Sequence, residues 1–168
     1  MTIMGFVRNF NAMMVFGFFA FSVSFSWAKG EQLIIPVGEI RVPVVDLRHL
    51  GHGELVVVLF EKLDRIEIEM DKAFRVKKLA VISQDMTAVF SMVPYGEYAV
   101  GVFHDLNENG RLDANFFGFP KEGMAVSNNA KGGPLGGPPW QASKIQLAQP
   151  TMNLSALKIY PFGPKSVE

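Results

Sequence analysis

The sequence predicts an all-β protein: an antiparallel β-sandwich of about seven short strands, transthyretin/prealbumin-like or immunoglobulin-like, with one long ordered loop. Three observations point there. Beyond residue 38 the dominant hydrophobic period is two rather than 3.6. Runs of strand length are separated by turn signals rich in Gly and Pro. The chain has 168 residues, one domain's worth, and its apolar front reads as an address rather than as fold.

Taken in order, Glu39 to Leu47 places Ile40, Val42 and Val44 on one face. Pro43 has no N–H to give a ladder, which predicts a strand at a sheet edge. Gly51-His52-Gly53 marks a turn, and Glu54 to Phe60 is a continuous apolar run expected to be a central buried strand. The two runs together predict a hairpin. In Lys62 to Phe74, Leu63, Ile66, Met70 and Phe74 recur at helical spacing, while Ile66, Ile68 and Met70 also alternate. That stretch reads as a short helix or an irregular excursion. Val76 to Ser83 is a third strand. Asp85 to Val93 puts Met86, Ala88, Phe90 and Met92 on one face, and Pro94-Tyr95-Gly96 turns it into Glu97 to His104. This predicts a second hairpin, with Gly101 at a bulge or a close approach. Ser143 to Leu147 and Asn153 to Tyr160 complete the seven, and Pro161-Phe162-Gly163-Pro164 ends the fold.

Residues 1–28 read as a cleaved secretory leader. Arg8 supplies the early positive charge, Phe10 to Phe25 is almost wholly apolar, and Ser26-Trp27-Ala28 gives small residues around a cut after Ala28. The run is shorter than the roughly 20 residues that span a bilayer. Seven of the 15 Phe lie in this leader, which lifts the mean hydropathy to +0.20. The expected product is a single domain of residues 29–168 with its core at about 38–160, periplasmic or extracellular, and with no stable membrane insertion after cleavage. With no Cys, neither disulfides nor a lipid on a leader Cys are available. Formal charge is zero, and without Arg8 there are 15 basic against 16 acidic residues. Nothing in that balance attracts nucleic acid.

The most specific local pattern is Asp105-Leu106-Asn107-Glu108-Asn109-Gly110-Arg111-Leu112-Asp113. Oxygen-bearing side chains at positions 1, 3, 5 and 9, with Gly at 6, match the first part of a Ca²⁺ loop. Ca²⁺ wants six to eight hard oxygens, and Asp105, Asn107, Asn109, Asp113 and the Arg111 carbonyl can supply them. Position 12 is Phe116 instead of Glu and the loop follows a strand, so it is not an EF-hand; final ligands come from Asp113, Asn115 or Glu122. Such a site is expected to be weak, about 10⁻⁴–10⁻³ M. The competing reading is a turn whose Asx side chains bond their own backbone.

Asp105 to Gln141 has no sustained period. A loop this long is usually functional or disordered; Phe116, Phe117, Phe119 and Trp140, which a disordered linker would lack, are expected to pin it as an ordered loop, either as a satellite core or as a ligand platform. His104, Asn128 and Asn129 join those four as candidate ligand-binding residues, although Ser127-Asn128-Asn129 reads more simply as turn caps. His49 and His52 with His104 could hold a transition metal only if folding converged them.

Several of these segments together resemble a known group. Pro94 to Asp105, followed by Asn107, Asn109-Gly110 and Asp113, resembles the PPGxYAVxVFHDxNxNGxxD stretch of the bacterial domain-of-unknown-function 2141 family. Phe116 to Gly123, Ser127-Asn128-Asn129-Ala130 and Gly137-Pro138-Pro139 match its later motifs in order. The resemblance covers roughly residues 38 to 160. Tyr95 replaces the family's second Pro, and Gly133 to Leu135 lengthens the loop. The resemblance implies an exported transthyretin-type sandwich and carries no agreed activity, substrate or cofactor. Three functions therefore compete. The first is a non-catalytic binding or structural module of the cell envelope, Ca²⁺ stabilised at 105–113, with an envelope or extracellular ligand as partner. The second is a soluble carrier of a small apolar or carbohydrate ligand under the 116–140 loop. The third is a hydrolase or metalloenzyme using His104 and Asp105.

Overall fold

The computed structural model describes residues 34–132 and 136–160. The leader, the Gly133 to Leu135 insertion and the Pro161 to Pro164 tail lie outside the described residues. Among the described residues nine strands form two sheets: β1 Val37–Val45, β2 Glu54–Phe60, β3 Arg75–Ala80, β4 Met86–Pro94, β5 Gly96–Asp105, β6 Met124–Val126, β7 Ile145–Leu147, β8 Thr151–Asn153 and β9 Leu157–Lys158. One sheet runs β4-β1-β8 with β9 also on β1; the other runs β3-β2-β5-β6 with β7 also on β5. The sheets share one core. Ile40, Val42 and Val44 of the first meet Leu55, Val57, Leu59, Val100 and Val102 of the second, all fully buried. The molecule is thus an all-β sandwich. No helix among the described residues is long and apolar enough to cross a membrane.

The continuous apolar run of β2 has a direct cause. It is central, paired with β3 on one side and β5 on the other. Its outer face is covered as well. Val56, Val58 and Phe60 join Ala99, Phe103, Ile66, Ile68 and Trp140 in a second core on the outside of the sheet. The 62–74 excursion supplies that cover, irregular apart from a single 3₁₀ turn at Met70–Lys72. A strand buried on both faces cannot alternate, so β2 from Leu55 to Phe60 and β5 from Tyr98 to Phe103 carry no charged residue. Gly101 is the close approach expected of it: a Cβ there would lie 2.9 Å from Cγ1 of Ile68.

Several expected pairings are corrected. β1 and β2 are not a hairpin; they lie in opposite sheets, and residues 46–53 cross between them. β4 and β5 likewise face each other across the core instead of pairing. At that crossing the Tyr98 hydroxyl donates to the Pro94 carbonyl (2.9 Å), the arrangement of a tyrosine corner. β1 is not an edge strand: β4 flanks it on one side, and β8 and β9 lie parallel to it on the other. Pro43 is tolerated because the β8 register ends at Arg41 and the β9 register begins at Val44, so it falls in the break. The sandwich is therefore mixed, not wholly antiparallel. Met92 does not share the face of Phe90. A register shift opposite Gly38/Ile40 and a φ of 55° at Met92 turn its side chain outward, and Val93 takes the buried place. Finally, Ser143 belongs to a one-turn helix, α1 (Trp140–Ser143), ahead of β7.

Candidate functional site

β5 delivers His104 and Asp105 to one end of the sandwich. Successive strand side chains point to opposite faces, so the two part company there. His104 follows Val100 and Val102 toward the inter-sheet core, 3% exposed, with Nε2 2.8 Å from the His52 carbonyl oxygen. Asp105 is fully buried, and its carboxylate accepts the N–H groups of Asn109 (3.1 Å) and Gly110 (2.7 Å). The His104–Asp105 dyad required by a hydrolase reading is not formed. The three histidines do not assemble a ligand set either: His52 Nδ1 turns to the Leu50 carbonyl, and the His49 and His104 rings stand 6.4 Å apart.

From Asp105 the chain closes on itself. Asn107 Oδ1 accepts Asn109 N–H (3.2 Å), and Asn109 Oδ1 accepts Arg111 N–H (2.8 Å). The two amides donate to Asp113, Asn107 Nδ2 to Oδ2 at 2.9 Å and Asn109 Nδ2 to Oδ1 at 3.1 Å. Gly110 at φ 75° makes the reversal. Glu122, 16 residues along from Leu106, then fastens the bend at both ends: Oε1 accepts Leu106 N–H (2.9 Å) and Oε2 accepts Asp113 N–H (3.1 Å). Of the three residues expected to complete the bend, Asp113 and Glu122 are brought in and Asn115 is not.

The electrostatics of this bend are unbalanced. Burial pushes the Glu122 carboxyl above the usual carboxylate range; the two backbone N–H groups pull it back, and the carboxylates of Asp105 and Asp113 add to the rise. Three acidic side chains thus converge with no basic partner within 4.0 Å among the described residues. Among the described residues no three His, Cys, Asp or Glu are arranged as a metal centre. Ca²⁺ needs more oxygens than carboxylates alone supply, and here Asn107, Asn109 and the Arg111 carbonyl lie in the same turn. A cation would have to displace the two amide N–H groups from Asp113, turning amide oxygens inward.

Asn115 serves a different purpose. Its Oδ1 accepts the N–H groups of Phe117 (2.9 Å) and Phe119 (3.0 Å), and its backbone bonds Phe119 and Gly118. The result is a knuckle that holds Phe116, Phe117 and Phe119 in solvent, 98%, 80% and 62% exposed. The expectation that these rings pin the loop is therefore corrected: hydrogen bonds hold it, and the rings are left out. Trp140 is elsewhere, its ring buried in the outer core and its backbone N–H donating to the Asp64 carbonyl. The four aromatics do not form one wall.

Asn128 and Asn129 are likewise spent on structure. The buried Ser127 hydroxyl accepts Val100 N–H and donates to the Ser143 carbonyl. Asn128 Nδ2 donates to the carbonyls of Ala142 and Lys144. Asn129 donates to Ala156 and accepts Lys158 N–H. Together they tie β5, α1 and β9.

A two-sheet sandwich with a self-closed acidic bend and an exposed aromatic knuckle at its rim is the class of protein these features define. The chain belongs to the family described as uncharacterized protein conserved in bacteria (DUF2141), whose model matches residues 42–155. Neither the curated proteins nor the solved structures contain a match to it.

Proposed function

We propose that this chain is an exported, non-catalytic binding module of the cell envelope, periplasmic or extracellular, released from its leader after Ala28. Its partner is an envelope or extracellular ligand met by the knuckle, and Ca²⁺ stabilises the bend behind it. The observation that carries the reading is the knuckle itself. Three phenylalanines held in water by a purpose-built turn are costly to a soluble domain unless something covers them. The converging carboxylates of Asp105, Asp113 and Glu122 support the cation, because a divalent ion would relieve their mutual repulsion and the desolvation of Glu122.

Two measurements test it. The processed protein should cosediment with isolated cell envelopes of a bacterium that makes it, and the F116S/F117S variant should not; equal sedimentation of both removes the knuckle as a contact. In about 5 mM Ca²⁺ the melting temperature should exceed that in EDTA by about 3–7 °C, the shift expected for a site of 10⁻⁴–10⁻³ M in a domain of this size. Coincident melting curves dispose of the ion.

A further inference from the structure

At the mouth of the sandwich, on the inter-sheet side of β5, lies a hollow of about 70 Å³ that the bend and the knuckle do not use. Its walls come from three separate segments. The β1–β2 crossover gives Arg48 and His49, the end of β5 gives His104, and Lys121 approaches from the stretch before β6. Asp46 also lines it, but that carboxylate is paired with Lys158 at 2.6 Å. Arg48 and Lys121 have no carboxylate within 4.0 Å among the described residues. The hollow therefore presents two unmatched positive charges, and its remaining walls include the apolar side chains of Leu106 and Ile159.

His104 adds direction. A carbonyl oxygen can only accept, so the 2.8 Å contact to His52 fixes the hydrogen on Nε2. In the neutral ring Nδ1 then carries a lone pair, and no protein partner for it occurs among the described residues. It is not sealed in either: among the described residues the buried side-chain polar atom without a partner is Trp140 Nε1, away in the outer core. His104 as a whole is 3% exposed, and it lines the hollow. The crossover is also held under strain. Asp46 and His49, neither of them glycine, sit at φ 64° and 53°, and such outliers collect where side chains must be aimed.

We propose that this hollow binds a small hydroxycarboxylate of two or three carbons. The carboxylate lies on Arg48 and Lys121, the hydroxyl donates to Nδ1 of His104, and the short hydrocarbon rests on Leu106 and Ile159. The small volume suits a short ligand, since ordinary ligand pockets run to about 300 Å³ or more. A bare anion would leave the Nδ1 acceptor unsatisfied, and a neutral alcohol would leave the cations unmatched.

The test is a titration of the processed protein in metal-free buffer, followed by the ring resonances of His104 and His49. Glycolate and lactate should shift them saturably within about 50 mM, well beyond a millimolar dissociation constant. Propionate, which lacks the hydroxyl, and the R48Q and K121Q variants with glycolate should each bind about tenfold more weakly, the loss of one charge-assisted or buried hydrogen bond. Both variants alter exposed-chain termini and should melt with the wild type. The proposal is overturned if glycolate gives no saturable shift, if propionate or inorganic phosphate binds equally well, or if R48Q and K121Q bind as the wild type does.

Discussion

The 105–113 bend and the 127–129 segment are both short and asparagine-bearing, and both turn through residues of positive φ, Glu108 and Gly110 in one and Asn128 and Asn129 in the other. They are bonded in opposite ways. Within the bend the side chains reach partners two to six residues away. From 127–129 they reach partners 14 to 29 residues away. Short loops cost little entropy to close, so the bend can form by itself and yields little to the whole. The 127–129 bonds exist only once the sandwich is assembled, and the Ser127 pair lies where no water can replace it. The same residue types thus make an adjustable rim in one place and a rivet in the other.

Ser127→Ala should break the rivet and have the largest effect. It leaves the Val100 N–H and the Ser143 carbonyl without their partner in a buried place, for about 2–4 kcal/mol of lost stability in urea unfolding. Asp105→Ala should cost about 1 kcal/mol by the same measurement, because the orphaned N–H groups of Asn109 and Gly110 lie near solvent, and it should abolish any Ca²⁺-dependent rise in melting temperature. If the two losses are equal, the contrast between local and remote bonding fails.

The bend should also respond to pH where the rivet does not. The Glu122 carboxyl is raised in the folded chain. The stability it contributes is present below the ordinary carboxylate pKa of about 4.3 and is lost as pH rises through the raised value. Carboxyl-carbon NMR should place its titration above that of the exposed glutamates, and Ca²⁺ should draw it back down. The smallest expected effect is that of F116S/F117S on stability, within about 0.5 kcal/mol, since those rings touch almost nothing but water and each other. A larger loss would return the rings to a packing role.

Much of this was legible in the residues, and what was not has a physical reason. Alternation told which side chains of β1 are buried, and Ile40, Val42 and Val44 are; in β5 it marked the face of Tyr98, Val100 and Val102 that enters the inter-sheet core, while Ala99 and Phe103 on the other face are buried too. It cannot tell a neighbour beside from a neighbour opposite. β1 and β2 bury the same faces whether they pair edge to edge or meet across the core, so tight Gly and Pro connections passed for hairpins. The bend was readable because Asp, Asn and Gly at fixed spacing impose one local geometry, and even Glu122 was among its candidates. The knuckle was not readable as exposed: four aromatics in one loop look alike in sequence, and only Trp140 finds the outer face of the sheet. The hollow left no trace at all, because Arg48, His104 and Lys121 are brought together by tertiary structure alone.

The placement of β8 and β9 against β1 carries one more consequence. The first strand of the domain takes two of its three partners from residues 151–158, close to the end of the chain. A polypeptide emerging amino end first cannot finish its first sheet until nearly every later residue has followed. Such pairings between distant segments are slow to find. The β1 sheet is therefore complete only once residues 151–158 have joined it.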